Sequence, residues 1–393
     1  MKVPLRFQST EYDCGTTTFI NALAYLFERE EIPVTLLKEI HQYTLDAKGK
    51  TGIIGEGGTS HEAVEKLVEC ITEYEKKNIL PVKCQLLRGK EVTLEKMEEC
   101  IKNHGVIIIR CYLEVEHYAL ITNIENGKAY IFDPYYLEEN YYETEDDKEV
   151  KIVVDNHFTY NRIIKEERLF EENKNIWGTI FMSYIEDNKK AYNMLAKEYD
   201  ERKHEIGDEF WINIYDNLNL KSKENYNILE IGPGNGRNIG ILQRYNEKFN
   251  ITTIELSEKL CEIIKKKYPK VHVINDNILD FKQQGKKFDF IIAIALIHLF
   301  PYEDAKKVMK LIKNILIDDG HLLIGTTMNK EESEGYYEKE DYSGKIKRFR
   351  HKYTKESFEK LLKESGFKIV KPYIIEEKDR DKTWYDIVVK KDI

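Results

Sequence analysis

The sequence predicts two domains, an N-terminal α+β domain over residues 1–188 and a C-terminal α/β domain with a doubly wound sheet over residues 189–393. A chain of 393 residues is longer than one ordinary domain and comfortable for two. Around residues 185–203 the apolar content falls and the charge rises. Beyond this segment strand and helix patterns alternate, whereas the first half places helices before strands. The boundary is therefore expected near residue 189.

The composition is that of folded domains with an apolar core, since 41% of the residues are hydrophobic and 33% are charged. No apolar run approaches the roughly 20 residues that span a bilayer. The first residues, MKVPLRFQST, lack the apolar region of a secretion signal. The net charge is −9 and there is no basic block, which disfavours a nucleic-acid partner. We expect a cytoplasmic protein with neither a membrane nor a nucleic-acid partner.

Six cysteines are scattered through the chain without the close spacing of a metal site. They form no C-x-x-C or C-x-x-x-C pair, so we predict neither a zinc site nor a disulfide framework. This usage favours a reducing compartment. The six are Cys14, Cys70, Cys84, Cys100, Cys111 and Cys261.

The N-terminal half carries helix patterns first and strand patterns afterwards. Apolar residues repeat at helical spacing over residues 15–28, 33–42 and 59–76, and again in TLEKMEECIKNHG, where Thr93 is the expected N-cap. The strand patterns are VIIIRCYL, HYALITNI, KAYIFD and WGTIFMSYI. Short links such as ENGK join some of these runs, which is typical of an antiparallel sheet.

The C-terminal half alternates the two patterns. NILEIG, ITTIE, VHVIN, FDFIIAIA and GHLLIGTT are the predicted strands. Helices are predicted between them, for example SEKLCEIIKKKY and residues 302–316. This alternation predicts a parallel sheet with helices on both faces.

A glycine-rich loop follows the first of these strands. In ILEIGPGNGRN, from Ile228 to Asn238, the strand ends at Gly232 and a helix begins after Gly236. Glycines there allow the backbone to approach a ligand closely. The spacing is G-x-G-x-G rather than the G-x-G-x-x-G of dinucleotide-binding proteins. The next strand ends in Glu255, where a carboxylate can accept hydrogen bonds from both hydroxyls of a ribose.

These motifs resemble class I S-adenosylmethionine-dependent methyltransferases, which have a Rossmann-like fold, over most of residues 190–393. The resemblance implies S-adenosylmethionine as the cofactor, with Glu230 helping to hold the methionine amino group and Glu255 binding the ribose. Either Asp276 or Asn277 is expected at the adenine amine. A dinucleotide-binding or methyl-inactive domain of the same fold is the alternative. The implied cofactor-binding residues are Tyr199, Glu230, Gly232, Gly234, Gly236, Asn238, Glu255, Asp276, Asn277, Ala293 and His298.

Two further segments fit the same family. The run FDFIIAIALIHLF is similar to its fourth strand, whose end passes under the methionine portion near Ala293. AKEYDERK is similar to its N-terminal lid helix, with Tyr199 facing the cofactor. His298 is either a general base or a wall of the cofactor site. We expect the wall, because methyl transfer from a sulfonium mostly needs proximity and alignment.

The acceptor is predicted to be a small molecule or a peptide. Enzymes that methylate exocyclic amines of nucleic-acid bases typically carry an Asn/Asp-Pro-Pro-aromatic run after strand four, and this chain has AIALI there. Segment 328–350 is expected either to form part of the acceptor pocket or to be a solvated loop. Its candidate pocket residues are Tyr336, Tyr337, Tyr342, Arg348 and Arg350.

A second set of candidate residues lies in the N-terminal half. Cys14 precedes a predicted helix, whose dipole and free N–H groups lower the pKa of a thiol. Gln8 can donate an N–H to a developing oxyanion, beside the backbone N–H of Cys14. His117 begins a strand and Asp133 ends the next one. If these strands are antiparallel neighbours, the two side chains meet at one edge of the sheet, where Cys14 would dock.

This set resembles papain-like cysteine peptidases, most closely the leader-peptidase domain of bacteriocin exporters, over roughly residues 5–135. That family shows a Gln, then Asp-Cys-Gly, His-Tyr and Asp-Pro, and this sequence has all four. The resemblance implies Cys14 as nucleophile, His117 as base, Asp133 as its orienting group and Gln8 as oxyanion donor. Neither transmembrane segments nor an ATPase follow, so we do not expect an exporter.

The fate of an acyl group on Cys14 stays open, because water or an amine can resolve a thioester with the same catalytic groups. Fusion to a methyltransferase favours the tailoring of a peptide or specialised metabolite, which a carrier protein can present. We therefore expect a bifunctional biosynthetic enzyme with peptidase or acyltransferase (amide synthase) chemistry. The alternative is an inactive N-terminal domain that binds a peptide or carrier for methylation.

Overall fold

The computed structural model describes residues 1–113, 115–139, 141, 150–170, 177–202, 206–222, 226–282, 285–338 and 346–392. The chain forms two compact units, Met1–Glu186 and Asp187–Ile393. The predicted boundary after residue 188 falls inside a helix, Tyr184–Glu201. In the described ranges no helix is long and apolar enough to cross a membrane.

The N-terminal unit packs helices on both faces of a seven-stranded sheet. Every pairing in this sheet is antiparallel, in the order β1-β7-β2-β3-β4-β6-β5. The helices are α1 (Cys14–Leu26), α2 (Val34–Tyr43), α3 (His61–Lys76) and α4 (Leu94–Lys102). The strands are β1 (Val82–Arg88), β2 (Val106–Leu113), β3 (Val115–Glu125), β4 (Lys128–Phe132), β5 (Val150–Ile152), β6 (Arg162–Lys165) and β7 (Trp177–Ser183).

Helix α1 buries its apolar side against one face of this sheet. Phe19 and Leu23 share a core cluster with Leu120 of β3 and Phe132 of β4. The helix lies close to the segment before α3, because a Cβ added at Gly15 would be only 2.5 Å from Oγ1 of Thr59. A larger residue at position 15 would therefore push the start of α1 away.

The four predicted helices and four predicted strands coincide with elements of the structure, but the predicted order is wrong at one point. Strand β1 lies between α3 and α4, so strands do not all follow the helices. Its sequence, VKCQLLR, alternates weakly because β1 is an edge strand with one neighbour, where Lys83 is only partly buried and Gln85 is exposed. Thr93 caps α4 as predicted, accepting a hydrogen bond from the backbone N–H of Lys96.

The C-terminal unit has the predicted doubly wound α/β fold. Its main sheet has the strand order β10-β9-β8-β11-β12-β16-β15. The helices are α5 (Tyr184–Glu201), α6 (Asp208–Asn217), α7 (Arg237–Tyr245), α8 (Glu258–Lys267), α9 (Tyr302–Ile315) and α10 (Lys355–Glu364). The strands are β8 (Asn227–Ile231), β9 (Asn250–Glu255), β10 (His272–Asn275), β11 (Phe288–Ile294), β12 (Leu316–Thr327), β13 (Ser333–Glu338), β14 (Lys347–Lys352), β15 (Phe367–Glu377) and β16 (Lys382–Lys391).

The sheet is parallel from β10 to β12 but not throughout. Strand β16 runs antiparallel to both β12 and β15. The connection between β15 and β16 is a single short turn, which permits a hairpin and excludes a parallel crossover. The strand order reverses between β8 and β11, and ligands of open α/β sheets bind at such a point, beyond the carboxyl ends of the strands.

Candidate functional sites

Strands β3 and β4 bring His117 and Asp133 together. The two strands are antiparallel neighbours, and Nε2 of His117 lies 2.8 Å from Oδ2 of Asp133. Both side chains are buried, with 9% of His117 and 0% of Asp133 exposed. Arg162 of β6, also buried, forms an ion pair of 2.7 Å with the same carboxylate oxygen. Burial alone would raise the pKa of Asp133, but His117 and Arg162 more than offset it, so the pKa is lowered and the carboxylate stays ionised.

Asn161 and Arg162 are site residues that the sequence analysis missed. The side chain of Asn161 accepts a hydrogen bond from the backbone N–H of Asp133 at 2.8 Å and donates to its carbonyl at 2.7 Å. Nη2 of Arg162 donates to the carbonyl of Tyr135 at 2.9 Å. The dipeptide Asn-Arg before an apolar pair is a weak signal, and its contact with Asp133 depends on the pairing of β4 with β6.

Cys14 begins α1, and its thiol lies near the start of the His117 strand. Burial raises the pKa of this thiol, although the backbone N–H groups of Tyr118 and Gly15 act to lower it. The negative charge of Asp133 raises it further. The predicted lowering of the pKa is therefore wrong for this structure, because burial outweighs the helix N-terminus. The contact with Tyr118, the residue after His117, nevertheless brings Cys14 to the buried pair.

Gln8 lies on the segment that leads into α1. Its backbone N–H donates to the carbonyl of Pro134 at 2.9 Å, which ties it to the residue after Asp133. Its side-chain Nε2 donates to the carbonyl of Thr10 at 2.8 Å, using one of its two hydrogens. Asp13 holds the same segment by accepting the N–H of Thr10 at 2.7 Å. All four residues predicted for this site thus lie on segments that meet at one end of β3 and β4.

In the C-terminal unit, the glycine loop after β8 lies beneath Tyr199 of α5. Gly234 has a φ of +59°, and a Cβ added there would lie 3.2 Å from the Tyr199 ring. This φ and the nearby ring together favour glycine at position 234. Asn235 also donates from Nδ2 to the carbonyl of Tyr199 at 3.1 Å. The structure thus joins the predicted lid residue to the predicted cofactor loop.

Two buried carboxyl groups, those of Glu230 and Glu255, flank this loop. Glu255 accepts hydrogen bonds from the backbone N–H groups of Ser257 at 2.9 Å and Gly234 at 3.3 Å. Burial raises the pKa of Glu255 to about 7. Glu230 accepts a hydrogen bond from Nδ2 of Asn238 at 3.1 Å. Burial raises the pKa of Glu230 to about 8, and the charge of Glu255 contributes to that increase.

The second oxygen of Glu230, Oε2, is buried and accepts no hydrogen bond from the described part of the chain. A buried oxygen in this state is costly, and a cationic amino group beside it would remove that cost. Glu255 retains acceptor capacity for hydroxyl groups, since a carboxylate has about four lone-pair sites. These groups fit the amino group and the ribose of S-adenosylmethionine. In the same described ranges no cluster of His, Cys, Asp or Glu side chains could hold a metal ion.

The structure distinguishes the two candidates for the adenine amine. Asn277 is buried, and its Oδ1 caps a short 3-10 helix, Ile278–Asp280, by accepting the N–H of Leu279 at 3.2 Å. Asp276 is exposed at the carboxyl end of β10. Its Oδ1 accepts the N–H of Asn277 at 2.8 Å. Of the two side chains, that of Asp276 is the more accessible to a ligand.

Strand β11 ends in a sharp turn that positions His298. Ala293 is fully buried in the strand, whereas Ala295 at the turn is partly exposed and has a φ of +57°. Ala295 is therefore more accessible to a ligand than Ala293, the residue predicted from the sequence. His298 lies on the next short helix with 3% of its surface exposed, and its Nδ1 is 3.0 Å from Oγ1 of Thr326.

Comparison with known proteins identifies this unit. Residues 201–371 match a family described as "Methyltransferase domain". The C-terminal unit is a methyltransferase domain. The match confirms the Rossmann-like methyltransferase fold and the predicted cofactor, S-adenosylmethionine.

One curated relative and two solved structures illustrate the similarity. The chain is 30% identical over 167 residues to ribosomal RNA small subunit methyltransferase A of Malacoplasma penetrans, which is 40% of this chain and 53% of the relative. The chain thus spans about half the length of that relative. An S-adenosylmethionine-dependent methyltransferase from Clostridium acetobutylicum is 17% identical, covers 51% of this chain and 98% of its own, and has a TM-score of 0.39. The CcbJ methyltransferase from Streptomyces caelestis is 14% identical with the same coverage and a TM-score of 0.40.

Segment 328–350 of the methyltransferase domain contains β13 and most of β14, which pair with each other as an antiparallel hairpin. A purely solvated loop is therefore the wrong alternative for its described part. Arg350 donates from its guanidinium to Oγ1 of Thr327, at the end of β12. Of the predicted pocket residues, Tyr336 and Arg348 are buried, Tyr337 and Arg350 are partly exposed, and Tyr342 lies outside the described residues.

Proposed function

We propose that the chain is a bifunctional biosynthetic enzyme. Its C-terminal domain transfers a methyl group to a small molecule or peptide, and its N-terminal domain carries acyl chemistry on Cys14. The first activity rests on the two buried carboxyls, Glu230 and Glu255, beside the glycine loop. The second rests on the buried His117–Asp133 pair near the Cys14 thiol.

In the methyltransferase domain the chain's own residues bind and orient. Bound S-adenosylmethionine supplies a methyl group already activated on a sulfonium. Glu230 holds the amino group, Glu255 the ribose hydroxyls and Asp276 the adenine amine. Tyr199 covers the loop. Proximity and alignment then account for most of the rate, so no general base is required.

A small acceptor is favoured over the ribosomal RNA named for the curated relative. The end of the fourth strand of the fold, β11, and the turn after it have the sequence AIALI, where an enzyme acting on base amines would carry an amide and prolines. The net charge of −9 also opposes binding to a phosphate backbone. Methylation of purified ribosomal RNA by the full chain would contradict this assignment.

The test of the cofactor site is calorimetry on the full chain with S-adenosylmethionine. Glu255→Ala should weaken binding by about 1–3 kcal/mol, the usual cost of unpaired polar groups. Glu262→Ala is the matched control, since Glu262 is an exposed glutamate on the neighbouring helix α8. Equal affinity in wild type and Glu255→Ala would refute the ribose assignment, and tight binding of NAD would refute the domain's proposed activity.

In the N-terminal domain we assign papain-like roles to four residues. Cys14 is the nucleophile, His117 the base, Asp133 its orienting group and Gln8 an oxyanion donor beside the N–H of Cys14. Because His117 uses Nε2 to bind Asp133, proton exchange with the thiol falls to Nδ1. Water or an amine then resolves the thioester, which gives cleavage or amide formation.

Detection of a thioester on Cys14 is the test of the acyl chemistry proposed for this domain. Intact-protein mass spectrometry after incubation with cell extract should detect an acyl adduct that Cys14→Ala lacks. Cys70→Ala, which removes another partly exposed thiol, should leave the adduct unchanged. Gln8→Ala should slow turnover by roughly 10²–10³-fold, since the backbone N–H still serves the oxyanion. If His117→Ala changes neither adduct formation nor turnover, the domain is a peptide- or carrier-binding module instead.

A further inference from the structure

Arg348 on β14 is a buried cation that keeps unused hydrogen-bond donors. Only 6% of its surface is exposed, and no described residue accepts a hydrogen bond from its Nε or Nη1. Its guanidinium lies 5.7 Å from the ring centroid of Tyr192 on α5. A guanidinium keeps its charge at physiological pH. A cation–π contact offsets only part of the cost of burying that charge, so Arg348 retains a strong capacity to bind an anion.

Aromatic contacts connect this guanidinium to the cofactor loop. The Tyr192 ring packs edge-to-face against Tyr199, with ring centroids 6.0 Å apart. Tyr199 in turn covers Gly234 of the glycine loop. Arg348 is therefore separated from the proposed cofactor site by two aromatic rings.

Asn188 of α5 joins β14 to the turn that carries His298. Asn188 accepts the backbone N–H of Phe349 at 2.9 Å and donates to the carbonyl of Leu299 at 3.0 Å. Arg350 shares a face of the strand with Arg348 and contacts Thr327. These contacts hold Arg348 at the carboxyl edge of the sheet, where methyl transfer is proposed to occur.

We propose that Arg348 binds a carboxylate or phosphate group of the methyl acceptor. This proposal rests on the methyltransferase function proposed above and adds the chemical class of the substrate. The planar fork of a guanidinium matches both oxyanions, and burial strengthens such charge-assisted hydrogen bonds. The acceptor is accordingly an anionic small molecule or an acidic peptide.

The test uses the full chain saturated with S-adenosylhomocysteine and titrated with benzoate in one arm and inorganic phosphate in the other. At least one anion should bind the wild type, and Arg348→Gln should weaken it by about tenfold or more, as loss of a charged hydrogen bond implies. The two arms distinguish a carboxylate-bearing acceptor from a phosphorylated one. Lys347→Gln removes an exposed positive charge from the same strand and should bind as the wild type does.

Binding of S-adenosylhomocysteine is measured first and separates the possible failures. If the wild type does not bind S-adenosylhomocysteine, the proposed function is overturned. If only Arg348→Gln loses it, Arg348→Lys becomes the test, since that variant keeps the charge but loses the planar fork. Arg348→Lys should then bind S-adenosylhomocysteine normally and the anion several-fold more weakly. Absence of anion binding in the loaded wild type, or full binding in a folded Arg348 variant, would overturn the proposal.

Discussion

The pKa values of Cys14 and Asp133 are shifted in opposite directions. Burial raises the pKa of the Cys14 thiol, whereas His117 and Arg162 lower the pKa of Asp133 against the effect of burial. The thiol therefore stays protonated while the carboxylate stays charged. In the proposed mechanism, the nucleophile forms when His117 takes the proton from the Cys14 thiol during attack.

This tuning has a measurable consequence for the pH dependence of alkylation. With a raised pKa, the thiolate fraction of Cys14 should grow about tenfold per pH unit from about pH 7 to about pH 9. The rate of labelling by iodoacetamide should rise in parallel. Cys14→Ala is the control that separates labelling of Cys14 from labelling of the other cysteines. A rate that is already constant at neutral pH would instead indicate a thiolate–imidazolium pair.

His298 is expected to act as a wall of the methyl-transfer site. It is buried and bonded to Thr326, so its ring is held in place by the protein. His298→Asn should leave the methyl-transfer rate within about tenfold, whereas loss of a general base would cost about 10²–10⁴-fold. The rate is measured at saturating S-adenosylmethionine, with cofactor affinity determined separately. A loss above a hundredfold with intact binding would assign His298 as the base.

At the scale of elements, one face of helix α5 contacts the residues of both proposed binding sites in this domain. Asn188, Tyr192 and Tyr199 follow the helical repeat, so they lie along one side. Their contacts are different: Asn188 contacts β14, Tyr192 contacts Arg348, and Tyr199 contacts the glycine loop. One helix thus positions both the proposed cofactor loop and the proposed acceptor-binding residue.

Removing the Asn188 side chain should loosen this arrangement. Asn188→Ala removes the hydrogen bonds to the backbone N–H of Phe349 and the carbonyl of Leu299, at a cost of about 1–3 kcal/mol in the free energy of unfolding. Urea denaturation measures the change. Met194→Ala, on the exposed side of the same helix, should stay within about 0.5 kcal/mol of the wild type. Equal stability of the two variants would show that the Asn188 bridge contributes nothing.

The sequence predicted those features whose signals are local. The glycine loop, Glu230 and Glu255 lie at the ends of strands with strong apolar patterns. His117 and Asp133 were paired correctly because a short link makes their strands antiparallel neighbours. Arg162 was missed because its contact with Asp133 depends on a third strand farther along the chain.

The hairpin of β13 and β14 was missed for a different reason. SEGYYE and KRFRHK mix charged and aromatic residues, so neither has the alternation of a half-buried strand. The lowered thiol pKa expected at Cys14 failed because burial of a side chain is a tertiary property. A helix N-terminus is visible in the sequence, but the surroundings that desolvate the thiol are not.

Over the whole molecule, each unit carries all the residues of one proposed site. The proposed thiol site uses residues of Met1–Glu186, and the proposed cofactor site uses residues of Asp187–Ile393. We therefore expect Cys14→Ala to abolish the chemistry of the N-terminal domain and leave methyl transfer by the full chain unchanged. The two activities are assayed on the same preparation. A parallel loss of methyl transfer would mean that the sites depend on a shared intermediate.

Three buried carboxyl groups couple the stability of the methyltransferase domain to pH. Burial raises the pKa of Glu230 to about 8, of Glu255 to about 7 and of Asp386 to about 8. Each group binds its proton more tightly in the folded than in the unfolded chain. The contribution of these protonated carboxyl groups to stability is therefore fully present below their pKa values in the unfolded chain, near pH 4. It is lost as the pH rises through 7 to 8.

The ligand-free chain should accordingly lose on the order of a few kcal/mol of unfolding free energy between about pH 5 and about pH 8. Urea denaturation at several pH values measures this loss. Other groups titrate in the same interval, so the sharper quantity is the difference between wild type and Asp386→Asn. Because the amide does not titrate, Asp386→Asn should gain stability relative to the wild type as the pH rises. A difference that is constant with pH would mean that Asp386 is not protonated in the folded chain.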